Sequence, residues 1–103
     1  MTAAHRIRLR GAWEVTPLAG GRARHVRRFG RPRTLGPGES VWLVCDSAPG
    51  PAAVLVNGEV VGRAEAGPFA VEITTWLAPR NELAIETADG PLGEVALEIR
   101  SPG

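Results

Sequence analysis

Read for the alternation of apolar and polar residues, the chain falls into short period-two segments separated by glycine and proline. In Arg6–Thr16, Ile7, Leu9, Trp13 and Val15 share one phase, with charged or small residues in the other. Gly11 interrupts the apolar phase as a β-bulge would, so the interval predicts one half-buried strand. Pro17–Gly21 is expected to turn, and Arg22–Phe29 to form a short strand whose apolar members are Val26 and Phe29 alone. Gly30–Gly38 holds three of the chain's glycines and two prolines and predicts a loop. In Glu39–Asp46, Val41, Leu43 and Cys45 share the inward phase, and Trp42, Val44 and Asp46 the other.

After a turn at Ser47–Pro51, Ala52–Val56 and Glu59–Gly62 flank Asn57-Gly58. That dipeptide is a strong hairpin signal, because both central positions of a type I′ turn need φ > 0. Arg63–Pro68 reads as a loop, and Phe69–Thr74 as a strand with Phe69, Val71 and Ile73 inward. Thr74–Leu77 has room for a single helical turn before Pro79, which would dip Leu77 into the core and leave Trp76 facing a loop surface. Glu82–Ala88 and Leu92–Arg100 complete the pattern, the second with Val95, Leu97 and Ile99 inward. About eight strands, turns every eight to twelve residues and no amphipathic helix predict an all-β fold, a two-sheet β-sandwich of jelly-roll type. At 103 residues the expectation is a single domain over 1–103, with its core in about 6–100.

Charge changes this picture in one respect. All twelve basic residues are arginine, and Lys, Tyr and Gln are absent, which reads first as genome composition. The net charge of +1 hides an asymmetry: residues 1–40 carry nine Arg against Glu14 and Glu39, and residues 41–103 carry three Arg against nine acidic residues. A nucleic-acid arm would have such a skew. Strands from the two halves lying side by side and pairing charges would have it too, and this is the better account. The cluster Arg22, Arg24, Arg27, Arg28, Arg31 and Arg33 lacks interleaved tyrosine or any nucleic-acid motif, so a solvated arginine face is preferred to phosphate binding.

Little in the chain carries catalytic chemistry. Cys45 reads as a small buried hydrophobe, His5 and His25 stand alone, and most of the eleven carboxylates fall on outward phases. There is no metal-ligand spacing, phosphate loop or Ser-His-Asp order, so no metal or cofactor is expected. The N-terminus has no apolar run after its charges and no stretch approaches membrane-span length, which together with a lone cysteine favours the cytoplasm.

The run from Val54 to Leu83 resembles a known family pattern. It contains Val56-Asn57-Gly58, Val61-Gly62, Gly67, Phe69, Ile73-Thr74, Leu77 and Asn81-Glu82-Leu83, with Trp13, Arg27-Arg28-Phe29 and Val41-Trp42-Leu43 upstream. This order resembles the N-terminal sugar-binding domain of glycoside hydrolase family 2, the β-galactosidase and β-glucuronidase group, a galactose-binding-like jelly roll. The resemblance implies the fold and a possible carbohydrate-binding role. It does not imply hydrolysis, since that family's catalytic glutamates lie in a separate (β/α)8 barrel, which needs ~250 residues. Trp42, Trp76, Arg28, Arg80, Asp46 and Asn57 are the candidate sugar contacts: aromatic faces for the ring, planar polar groups for its hydroxyls. The alternatives are a module that binds another protein or itself, and an anionic-ligand or nucleic-acid binder through Arg22–Arg33.

Overall fold

In a computed structural model, which describes residues 4–32 and 35–102, two antiparallel sheets face each other. The strands in chain order are β1 (Ala4–Arg8), β2 (Glu14–Leu18), β3 (Arg22–Gly30), β4 (Ser40–Ala48), β5 (Ala52–Val56), β6 (Glu59–Ala64), β7 (Gly67–Glu72), β8 (Arg80–Ala88) and β9 (Val95–Arg100). One sheet runs β1-β9-β4-β7 and the other β2-β3-β8-β5-β6. Thr74–Trp76 forms a single 3-10 turn between β7 and β8. The expected β-sandwich is thus observed, with nine strands among the described residues.

The core lies between the sheets and is built from the inward phases. Val41, Leu43 and Cys45 of β4 meet Leu83 and Ile85 of β8, Val54 and Val56 of β5, and Val95, Leu97 and Ile99 of β9. Leu77 packs on this cluster and Ile73 is fully buried, as their spacing anticipates. Cys45 is buried, its Sγ donating to the Ser47 carbonyl at 3.3 Å, and burial pushes its thiol pKa up. It behaves as a hydrophobe and not as a nucleophile.

The stretch read as one strand over Arg6–Thr16 is two. β1 pairs with β9 in one sheet, β2 pairs with β3 in the other, and the chain crosses between them. Gly11 and Ala12 both take positive φ, 60° and 55°, which is a corner and not a bulge. Left-handed backbone at Ala12 costs about 1–2 kcal/mol. Hydrogen bonds hold the corner: Arg27 donates from Nε to the Gly11 carbonyl at 3.1 Å and from Nη2 to that of Arg10 at 3.0 Å, and Trp13 Nε1 donates to the Leu9 carbonyl at 2.9 Å. Alternation continues across the corner, so periodicity alone could not mark it. Three further boundaries move. β2 runs through Pro17 to Leu18, β6 and β7 take up most of the expected Arg63–Pro68 loop, and β9 begins at Val95 instead of Leu92.

Arg22–Phe29 is no short marginal strand. β3 extends to Gly30 and pairs residue for residue with β8, from Arg22 opposite Ala88 to Gly30 opposite Arg80. The pairing also explains the charge skew. Arg24 Nε donates to Glu86 at 2.8 Å, Arg28 faces Glu82 at 3.6 Å, Arg6 meets Glu98 at 3.0 Å, and Arg8 meets Glu94 at 3.2 Å. Each pair joins the basic half of the chain to the acidic half.

The Asn57-Gly58 turn has φ of 53° and 85°, the signature of a type I′ loop. Gly58→Val forces a β-branched residue into left-handed backbone. We expect a loss of about 1–3 kcal/mol, read as a lowered midpoint in urea unfolding; an unchanged midpoint would contradict this account of the turn.

Candidate functional site

At the end of the β3–β8 ladder where β3 leaves the sheet, Arg28, Phe29 and Gly30 face Glu82, Asn81 and Arg80. Together with Asn57 these residues line an open hollow of about 650 Å³. Arg28, Gly30, Glu82 and Arg80 belong to the solvent-side phase, while Phe29 and Asn81 point inward and are buried. The hollow therefore brings together three of the six sequence candidates, Arg28, Asn57 and Arg80.

The polar groups of the hollow divide by role. Asn57 is committed to the fold: its Oδ1 accepts from the Glu82 amide at 2.9 Å, and its Nδ2 donates to Asn81 Oδ1 at 3.0 Å and to the Trp76 carbonyl at 3.3 Å. Asn81, 3% exposed, clips back the preceding loop. Its Oδ1 accepts from the Ala78 amide and its Nδ2 donates to the Ala78 carbonyl, both at 2.8 Å. The two asparagines thus tie the hairpin, the 3-10 segment and β8 into one rigid unit. Arg80 is exposed and makes no hydrogen bond or ion pair among the described residues. Arg28, with its side chain 80% exposed, is engaged only by the long contact to Glu82. The two guanidiniums and one carboxylate are what the hollow offers a ligand.

The other three candidates lie elsewhere. Trp76 is 41% exposed and is joined to this end of the sandwich through its carbonyl, but its ring does not line the hollow. Trp42 stands on the outer face of the four-stranded sheet, where the Arg100 guanidinium covers its ring at 4.2 Å and its Nε1 donates to Ser40 Oγ at 3.0 Å. Its ring thus takes part in a cation–π stack within the sheet. Glu98 anchors that stack, and its bonds to Arg100 and Arg6 hold its carboxyl below the usual carboxylate range. Asp46 is exposed on β4 and lines neither the Arg28–Arg80 hollow nor the hollow beside β2.

The arginine cluster is largely spoken for. Arg22 donates to the Glu86 carbonyl at 3.2 Å, Arg24 pairs with Glu86, Arg27 holds the corner, and Arg31 donates to the Leu77 carbonyl at 2.8 Å. Arg33 lies outside the described residues. Among the described residues no three His, Cys, Asp or Glu converge as metal ligands would.

Sequence reasoning missed Glu82 and Asn81 as parts of the hollow, and it missed His25. His25 is 5% exposed, on the inward phase of β3 between Ala23 and Phe29. The alternation Ala23, His25, Phe29 was available to show this. It is obscured because Arg27 occupies the remaining inward position.

The class defined by this geometry is a two-sheet jelly roll with an arginine-flanked hollow at one end of its central ladder and a hairpin locked by asparagine. Among solved structures the chain superimposes on the β-glucuronidase of Lactobacillus rhamnosus with TM-score 0.79 and 15% identity, over 96% of this chain and 29% of that one. The β-glucuronidase of Dictyoglomus thermophilum gives 0.78 and 15%, over 96% and 28%. An FMN-binding β-glucuronidase of Faecalibacterium prausnitzii gives 0.76 and 22%, over 93% and 22%. The chain resembles the N-terminal sugar-binding domain of glycoside hydrolase family 2, and it spans less than a third of these enzymes' length. No family model and no curated protein matches the sequence.

Asn81→Ala would leave the Ala78 amide and carbonyl and the Asn57 amide without their partner. The expected loss is about 1–3 kcal/mol, with an unchanged urea m-value, since the surface exposed on unfolding is the same. A variant as stable as the parent would show that the asparagine pair does not fasten the hollow.

Proposed function

We propose that the chain is a non-catalytic carbohydrate-binding module whose ligand is an acidic sugar, held in the hollow of Arg28, Arg80 and Glu82 on a frame set by Asn57 and Asn81. The observation that carries this reading is the convergence of two exposed guanidiniums, one of them unpaired among the described residues, beside a rigid hydrogen-bonded turn. A guanidinium fork matches a carboxylate bidentately. Glu82 offers acceptors to sugar hydroxyls, and Trp76 supplies an exposed ring at the same end of the sandwich. The structural neighbours, being β-glucuronidases, belong to a context of glucuronic-acid substrates.

A non-catalytic role for this hollow agrees with the single carboxylate that lines it. Glycoside hydrolysis uses two carboxyl groups about 5–9.5 Å apart across one bond, whereas Glu82 is the one carboxylate lining the hollow. Nucleic acid is outside this reading, because Arg22, Arg24, Arg27 and Arg31 are engaged within the fold.

Titration with glucuronate followed by amide NMR tests the proposal. Glucuronate should shift signals of Arg28, Arg80 and Glu82, glucose should bind more weakly, and binding should weaken as salt rises. Arg80→Ala should reduce affinity at least about tenfold, the equivalent of one charge-assisted hydrogen bond of ~1.5–3 kcal/mol. Saturable binding unaffected by Arg80→Ala, or no shift with any uronate, would overturn it.

A second reading, a protein-docking module, draws on the outer face of the five-stranded sheet. There Val26, Ala84, Leu55 and Val60 lie opposite one another across four strands, between Arg28–Glu82 on one side and Arg24–Glu86 on the other. An apolar centre with a charged rim is the anatomy of an interface. If this face mediates self-association, light scattering should give a dimer mass that Val60→Glu returns to monomer; a monomer at all concentrations would count against self-association.

A further inference from the structure

A second hollow, also about 650 Å³, lies between β2 and the connection from β8 to β9. Val15 of β2 is directly opposite His25 of β3, so their side chains share the inner face of the sheet. His25 is 5% exposed, whereas Val15 is 58% exposed. The edge strand thus carries an inward-facing residue over which the other sheet does not close. Leu9, Trp13 and Leu92 complete the apolar walls, and His25 is the buried polar group among them.

The state of His25 follows from its neighbour. Thr87 Oγ1 donates its one proton to the Ala88 carbonyl at 2.6 Å, so toward His25 Nε2, 3.5 Å away, it can only accept. Held that way, the contact favours the tautomer with its hydrogen on Nε2 and its lone pair on Nδ1, and the tautomer is assigned from this contact. Nδ1 makes no hydrogen bond among the described residues, and it is not sealed from solvent. An acceptor in a largely buried ring with no partner in the fold can gain a hydrogen bond from a donor brought in by an apolar body. The charges around the hollow disfavour an anion: Asp89 and Glu94 line it, and Arg10 is paired with Glu94 at 3.6 Å.

We propose that this hollow is a binding site for a neutral, flat aromatic molecule bearing one hydroxyl, of the aryl-alcohol class, whose O–H donates to His25 Nδ1 while its ring packs against Trp13, Val15 and Leu92. The volume falls in the range of small-molecule sites, ~300–1,000 Å³. Burial lowers the pKa of His25 from its ordinary value, with Asp89 opposing, so the imidazole is neutral and its lone pair available at neutral pH. Protonation would convert Nδ1 from acceptor to donor. Binding is therefore present above the pKa of His25 and lost as pH falls through it, at a midpoint below ~6.5. Asp89, Arg10 and Glu94 are the charged groups facing this event.

The test uses 2-naphthol, with naphthalene as the control lacking a donor, followed by NMR of the His25 ring nitrogens and the Trp13 indole. His5, the other histidine, serves as an internal reference. We expect 2-naphthol to shift both reporters saturably and naphthalene to bind about tenfold more weakly, the worth of one hydrogen bond of ~1.4 kcal/mol. His25→Phe should erase the difference between the two compounds. Val15→Lys, a change at an exposed position that leaves the core intact, should abolish binding of both. Equal binding of naphthol and naphthalene to the parent chain would overturn the proposal. So would shifts that survive Val15→Lys, or the absence of any His25 shift.

Discussion

The rest of the structure depends on the nine-residue antiparallel ladder between β3 and β8. It joins the arginine-rich half of the chain to the acidic half, and its register decides which side chains are buried. A slip of one residue would turn Ala23, His25 and Phe29 outward and face their arginine neighbours into the core. Burying a side chain such as Phe29 or Ile85 contributes about 1.5–3 kcal/mol, whereas each exposed ion pair contributes ~0–1 kcal/mol. The apolar phase therefore sets the register, and Arg24–Glu86 and Arg28–Glu82 fall into place as a consequence. The charge asymmetry of the sequence is then a property of strand pairing before it is a property of any ligand.

Both hollows grow from this ladder. At one end Gly30 faces Arg80, and the absence of a side chain on β3 leaves space beside the guanidinium. Toward the other end His25 lies beside the edge strand β2, over which the smaller sheet does not close. The first hollow gathers two guanidiniums and a carboxylate at one end of β3 and β8; the second is lined by the uncovered inner face of β2 and β3.

Most of the fold was legible because local chemistry and tertiary placement agree there. Asn57-Gly58 needs left-handed backbone and has it; Ile73, Leu83, Val95, Leu97 and Ile99 alternate and are buried. The corner at Gly11–Ala12 was illegible, because the apolar phase resumes in step after Gly11, so a bulge and a change of sheet leave the same pattern. The candidate site was legible in composition only in part. Arg28, Asn57 and Arg80 are separated by tens of residues, and only the pairing of β3 with β8 and of β8 with β5 brings them to one place. The surroundings of Trp42 were illegible for a related reason. The residue that covers it, Arg100, reaches it through the pairing of β4 with β9, which no local pattern announces.

The asparagine pair shows why a residue can belong to a site and still be a poor ligand contact. Asn57 uses both protons of its amide and its oxygen on partners within the fold, so a sugar hydroxyl would have to displace a bond already made. On the proposed reading its contribution to binding would be positional: it holds Glu82 and the Trp76 segment in fixed relation, and fixed partners lose less freedom when a ligand is bound. Arg80 is the opposite case, an exposed side chain with no side-chain partner among the described residues to give up. A hollow that sets one free guanidinium against a fully bonded frame spends its order on the backbone and keeps its unsatisfied charge for the ligand. This division of labour is why the residues that best identify the fold are not the ones on which specificity would depend.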